Sequence, residues 1–258
     1  MKVSKTYLLG LFGTLLISTA SNCKKPKSVN ETNPTLSVEF NAKFASSPME
    51  LRSTEYTKTD GEVVKLNNWS VLLSKVSLVK TDDSKVMLGD GYIWIDFYNS
   101  NTKYKFTELP SGNYKGISFQ FGIDSIVNHA DPNVWPATHP LNPNLTGMHW
   151  GWSGGYIFMI LDGTYKTNAI SGSWNPFSFH TVGDVFKRNY FLPFNFELAK
   201  NTNKTAAIAM AFDELFKNPI ALKIGNDPNN HSGNFTEINW MEELVDNAED
   251  MYELKSVK

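Results

Sequence analysis

From Thr35 the chain alternates with a period of two: Leu36, Val38, Phe40, Ala42 and Phe44 fall on one side, Ser37, Glu39, Asn41 and Lys43 on the other. That pattern predicts a strand with one face buried. Runs of the same kind recur at residues 62–66, 69–81, 92–97, 104–109, 114–123, 156–162, 177–180, 190–198 and 205–211, with Asp, Gly, Asn and Pro as punctuation. Many short strands separated by turn residues predict a mainly β protein, an antiparallel β-sandwich with long loops. In Leu109-Pro110-Ser111-Gly112-Asn113 a proline presets φ and a glycine supplies the flexible position, so residues 103–121 are expected to form a hairpin.

The period changes once, near the C-terminus. Ile238, Met241, Leu244, Val245, Ala248, Met251 and Tyr252 lie on one stripe of a 3.6-residue helix, with Asn234 and Glu237 spaced as an N-cap and its N3 partner. One amphipathic helix packed on the sandwich is expected. No internal repeat or break in composition divides residues 35–258, which read as one domain.

One stretch departs from the strand-and-turn rhythm. Residues 128–152 hold His129, His139 and His149 of the five histidines, Trp135, Trp150 and Trp152 of the seven tryptophans, and four of the twelve prolines. Proline restricts the unfolded chain, so such a loop loses less entropy on ordering. That suits a rigid site. Trp150 and Trp152 share one parity and are expected on one face of the strand that follows, packed in the core, with Gly154 and Gly155 interrupting that strand.

The N-terminal pattern bears on location. Lys2 and Lys5 precede an apolar segment at residues 7–17, then Ser18, Thr19, Ala20 and Ser21 lead to Cys23. Residues 1–22 read as a bacterial signal peptide, too short in its apolar part to span a bilayer. Cys23 is the single cysteine, which excludes a disulfide within the chain, and its position resembles a lipobox, although Asn22 stands where Gly or Ala is usual. Acylation of Cys23 and a polar tether over residues 23–34 are the expected consequences. Such a protein is anchored in the bacterial cell envelope and faces the periplasm or the cell surface.

Charge and motifs narrow the chemistry. Twenty-four basic and 26 acidic side chains give a net charge of −2, without the basic footprint of a nucleic-acid binder. Phosphate-binding glycine loops, nucleophile elbows, His-Glu-X-X-His helices and cysteine clusters are absent from the sequence. Asp124, Asp131 and Asp162 could supply carboxylates, but nothing pairs them for acid–base work, and the chain reads as a non-enzyme. Histidine remains, the commonest metal ligand. Four of the five fall between residues 129 and 180, and His231 lies outside the cluster. Imidazole without thiolate suits zinc, copper, iron or nickel, and the residues alone do not choose among them. A metal-free surface lipoprotein that stacks tryptophans on a glycan or binds a protein fits the same composition.

A resemblance does choose. Asn128-His129-Ala130-Asp131, Pro140-Leu141-Asn142, the string from Met148-His149-Trp150-Gly151-Trp152 through Gly155-Tyr156-Ile157-Phe158, and Phe179-His180 together resemble the MbnP family of copper-binding proteins, as does Leu109-Pro110-Ser111-Gly112-Asn113-Tyr114. The resemblance spans residues 35–254. It implies an exported β-rich protein, grouped with the copper proteins MopE and CorA, that binds copper through histidines and a tryptophan oxidised to kynurenine by a partner diheme, peroxidase-like enzyme. Carried over, the ligands are His129 and His180; from the histidine cluster itself, outside the carry-over, His149 is added as a third and His139 as a weaker candidate because Pro140 restricts its backbone. The resemblance leaves the modified tryptophan open among Trp135, Trp150 and Trp152.

Overall fold

The computed structural model describes residues 1–2, 31–170, 172–231 and 238–258. The leader, Cys23 and the Asn234/Glu237 cap lie outside them. Contacts divide the chain into Met1–Asn30 and Glu31–Lys258, and the fold concerns the second unit. Thr32 already belongs to it, bonded through its backbone N–H to Asn201 Oδ1 at 2.8 Å.

The strands are β1 (Thr35–Phe44), β2 (Ser47–Pro48), β3 (Tyr56–Thr57), β4 (Val63–Lys80), β5 (Lys85–Met87), β6 (Ile93–Asp96), β7 (Lys103–Phe106), β8 (Gly112–Phe121), β9 (Ile157–Lys166), β10 (Asn175–Val182), β11 (Arg188–Leu198), β12 (Asn203–Ala211), β13 (Asn229–His231) and β14 (Tyr252–Val257). Among the described residues they form two sheets. One runs β14-β12-β1-β2, with β7 also on β1; the other runs β11-β8-β4-β9-β10-β13, with β3, β5 and β6 on β4. Pairing is mostly antiparallel, but β1 with β12 and β10 with β13 are parallel. Parallel neighbours need long crossovers, and local patterning does not announce them.

The alternation in β1 is realised: Leu36, Val38 and Phe40 are buried. Between the sheets, Phe119 of β8 meets Tyr252 of β14 edge-on at 4.9 Å, and Trp69 of β4 meets Phe212, just after β12, at 5.8 Å. Aromatic pairs at these separations add about 0.5–1.5 kcal/mol each beyond the area they bury.

Three expectations are corrected. The runs at 62–66 and 69–81 are one strand, β4, bent by irregular register between Leu66 and Asn68 and between Ser74 and Ser77. The 103–121 segment is no hairpin, because β7 pairs with β1 and β8 with β4 and β11, so the Leu109–Gly112 turn passes the chain from one sheet to the other. Tyr114 closes that turn by donating its hydroxyl to the Pro110 carbonyl at 2.6 Å. The C-terminal helix covers Ile238–Asn247, after which Tyr252–Val257 is strand β14, paired with β12. Met251 and Tyr252 are buried as the stripe requires, but in the turn before β14 and at its first residue; a side chain that suits a helix face also suits an alternating one.

Strand β14 covers the β12 edge, so a chain ending at residue 250 should show a lower thermal midpoint and faster aggregation. An unchanged midpoint would contradict this placement.

Candidate functional site

Strands β9, β10 and β13 lie side by side, and their registers set up one polar row. Ser178 is opposite Asp162 across the β10–β9 pair, and His180 is opposite His231 across the β10–β13 pair. In β10, Phe177, Phe179 and Thr181 are buried while Ser178 and His180 face the other way, half-buried. The two-residue period thus gathers Asp162, Ser178, His180 and His231 on the face of the sheet opposite the core.

The group is tightly connected. Ser178 Oγ lies 2.7 Å from Asp162 Oδ1, 3.0 Å from His231 Nε2 and 3.3 Å from His180 Nε2, and His180 Nε2 is 3.1 Å from Asp162 Oδ1. The serine has one proton and gives it to the carboxylate, so the imidazoles approach with Nε2–H groups. Their ring centroids are 4.6 Å apart. Asn68 of β4 extends the row, its amide 3.4 Å from Asp162 Oδ2. Burial pushes the Asp162 carboxyl up, but hydrogen bonds from His180 and Ser178, the His180 charge and the Asn68 amide outweigh it and leave the pKa below the ordinary aspartate value.

Trp150 closes the group from the loop. Its ring meets His180 edge-on at 5.8 Å and His231 at 5.4 Å, and the residue is 43% exposed. The expectation of a core strand residue at this position is corrected: Gly151–Gly154 is a short helical turn, closed by Trp150 N–H to the Gly155 carbonyl at 2.8 Å. Gly151 and Gly155 take φ values of +78° and +73°, which residues with a Cβ rarely adopt. The strand starts only at Ile157. The Trp152 side chain lies outside the described residues.

The buried Asn128 fixes this turn. Its Oδ1 accepts the Tyr156 N–H at 2.7 Å and its Nδ2 donates to Asp184 Oδ1 at 3.0 Å. A Cβ on Gly155 would come within 2.6 Å of Asn128 Oδ1, so only glycine fits. Tyr156 reaches back from just before β9 to the Leu141 carbonyl at 2.7 Å, and burial pushes its phenol up to about 12.

The loop histidines have other surroundings. His129 is half-exposed, with Nε2 3.5 Å from Asp184 Oδ2, and no hydrogen bond, ion pair or ring contact among the described residues joins it to His180. Asp184 also accepts from Ser125. His149 accepts the Gly151 N–H at Nδ1 (3.1 Å) and sets its ring edge-on to Tyr156 at 4.8 Å; burial lowers its pKa. His139 is enclosed: stacked on Trp135 at 4.1 Å, it accepts the Leu141 N–H at Nδ1 (3.0 Å) and meets Asp90 Oδ2 through Nε2 at 2.7 Å. Both nitrogens of His139 therefore tie down the loop. Sequence reasoning left out His231, which is 53 positions from Ser178. A three-residue strand in parallel pairing carries no periodic signal that would have found it.

Two imidazole nitrogens converging on one hydroxyl, with a carboxylate beside them, are a donor set suited to a borderline metal ion. The set is short, since among the described residues no three His, Cys, Asp or Glu side chains group as a metal site.

The sequence profile of the MbnP family matches residues 33–234. The chain belongs to the MbnP family. The match takes in His129, His149, Trp150, His180 and His231 and stops before the C-terminal helix of this MbnP-family chain. Among solved structures it is similar to MbnP from Methylosinus trichosporium, at 15% identity and a TM-score of 0.53, over 78% of this chain and 81% of that one. At that identity the likeness is one of fold. No curated protein matches the chain.

Two measurements check this description. Asn128→Ala strands the buried Tyr156 N–H and should cost about 1–3 kcal/mol in denaturant unfolding. The second concerns acid. The lowered pKa of Asp162 adds stability above the unfolded aspartate value of about 3.9 and loses it as pH falls through the folded value. Asp162→Asn should therefore flatten the acid limb of a stability–pH curve, and an unaltered limb would show that the carboxylate is not held by this network.

Proposed function

We propose that the protein is an exported, lipid-anchored copper-binding protein without catalysis of its own, and that His180 and His231 hold the ion. The observation that carries this reading is the convergence of both Nε2 atoms on Ser178 Oγ, at 3.3 and 3.0 Å, on the strand face reached by Trp150. Each imidazole must give up its Nε2 proton or shift it to Nδ1 to bind, and Asp162, 3.1 Å from His180 Nε2, is placed to accept one. Two imidazoles are too few for structural zinc, which almost always takes four protein ligands, whereas copper accepts imidazole in a short set. Copper bound here would supply a redox-active or transferable cation. The family resemblance supports copper over other ions.

Trp150 is our choice for the tryptophan oxidised to kynurenine, because its ring meets both imidazoles and is open to a partner oxidase. Trp135 is packed between His139 and Tyr92, away from the pair. Acylated Cys23 would tie the domain to a membrane of the bacterial envelope.

Titration of the domain with Cu(I) and Cu(II) tests the reading: one equivalent should bind, His180→Ala and His231→Ala should each abolish it, and His139→Ala should spare it while lowering stability. Absence of stoichiometric binding would leave the metal-free binding module. Intact mass of protein from its native host should show one carbon exchanged for one oxygen at Trp150, together with an acyl mass that Cys23→Ala removes.

A further inference from the structure

Strand β13 carries His231 but is three residues long, so something outside it must set its position against β10. The chain before it, from Phe216 to Pro228, has only short 3-10 turns and irregular backbone. A buried charge lies under that segment. Glu62, 4% exposed, accepts the Ile224 N–H at Oε2 and the Gly225 N–H at Oε1, both at 2.9 Å. Lys58, 5% exposed, donates to the same Glu62 Oε2 at 2.7 Å and to the Leu222 carbonyl at 3.0 Å.

The sequence makes this clamp locally. Lys58-Thr59-Asp60-Gly61-Glu62 is the loop between β3 and β4, closed by Lys58 N–H to the Glu62 carbonyl at 2.8 Å, with Gly61 at φ +90° and Glu62 N–H on Asp60 Oδ1 at 3.0 Å. That loop projects both charges of an i,i+4 pair toward residues 222–225. Beyond the clamp the chain runs directly into the site: the Pro228 carbonyl accepts the Ser178 N–H at 2.8 Å, and Asn229 and His231 then pair with Ser178 and His180.

We propose that Glu62 is a positioning residue for His231: its carboxylate, gripping two successive backbone N–H groups, sets where β13 begins and so where the imidazole meets Ser178. A carboxylate suits this task because it accepts two N–H groups and a lysine at once, and such charge-assisted bonds are about twice as strong as neutral ones. A neutral amide cannot serve both N–H groups, since one of its two terminal atoms is a donor. Gly225 belongs to the same device, because a Cβ there would lie 3.1 Å from Glu62 Oε1 and 3.2 Å from the Tyr165 ring. The anchoring is independent of metal; its consequence for copper rests on the function proposed above.

Amide hydrogen exchange of the metal-free protein at fixed pH tests it. Glu62→Gln should speed exchange of the 229–231 amides at least about tenfold relative to those of β12 and β14. Lys58→Met breaks the same ion pair but leaves the carboxylate on both N–H groups, so it should destabilise without that local gain. Gly225→Ala, which keeps both charges, should reproduce the local gain and decides the matter alone if Glu62→Gln does not fold. Equal local acceleration in Lys58→Met and Glu62→Gln, or none in Gly225→Ala, would overturn the proposal. With copper, Glu62→Gln should weaken binding by about 10- to 100-fold, the range for residues that orient ligands. If Glu62→Gln binds as tightly as the unaltered protein while His231→Ala does not bind, positioning by Glu62 is refuted and the site stands. If the unaltered protein binds no copper, the site reading falls and the exchange result still judges Glu62.

Discussion

The polar face of β9, β10 and β13 depends on register. Side chains alternate with a period of two, so a slip of one residue between β10 and either neighbour would turn Ser178 and His180 into the core and Phe177 and Phe179 into solvent. The two phenylalanines, stacked at 5.2 Å with Phe179 also against Trp240, fix the register from the buried side. The same apolar burial that folds the sheet thus aligns Asp162, Ser178, His180 and His231 on its other face. The alignment of the polar group is thus set from the buried side of the sheet.

The proline-rich loop plays a different part from the one its composition suggests. His139 and Asn128 spend their polar atoms on holding the loop together and fastening it to Asp90 and Asp184, and the Asn128–Tyr156 bond with Gly155 sets the turn that carries Trp150 to the imidazoles. The loop delivers one aromatic ring to a pair of histidines carried by strands. Strands hold side-chain positions more firmly than loops do.

Much of the sandwich was legible because burial writes a period into the sequence: β1, β8, β9, β11 and β12 follow runs that alternate or stay apolar. Legibility failed where one pattern serves two structures. Tyr252 continues a helical stripe and also alternates with Leu254 in β14, and Trp150 and Trp152 share a parity that a glycine-rich turn cancels. Within the candidate site, His180 and the 148–156 string stand out in the chain, whereas His231 does not. Its place depends on a parallel pairing reached through a long irregular segment, and that segment is oriented by a charge pair more than 150 positions earlier in sequence, as the separation of Glu62 from Ile224 shows.

The histidines show why residue type and clustering in sequence are weaker guides than the state of each ring nitrogen. In His139 one nitrogen accepts a backbone N–H and the other meets Asp90, so binding an ion would cost a loop contact whichever nitrogen were used. His149 has the same commitment at Nδ1, which accepts the Gly151 N–H, and burial lowers its pKa. His180 and His231 differ in kind. Their Nε2 atoms meet a hydroxyl and a carboxylate through protons, and a proton is what a metal ion replaces. In the binding proposed above, an ion would take the place of those protons, with Asp162, 3.1 Å from His180 Nε2, beside it to balance the added charge.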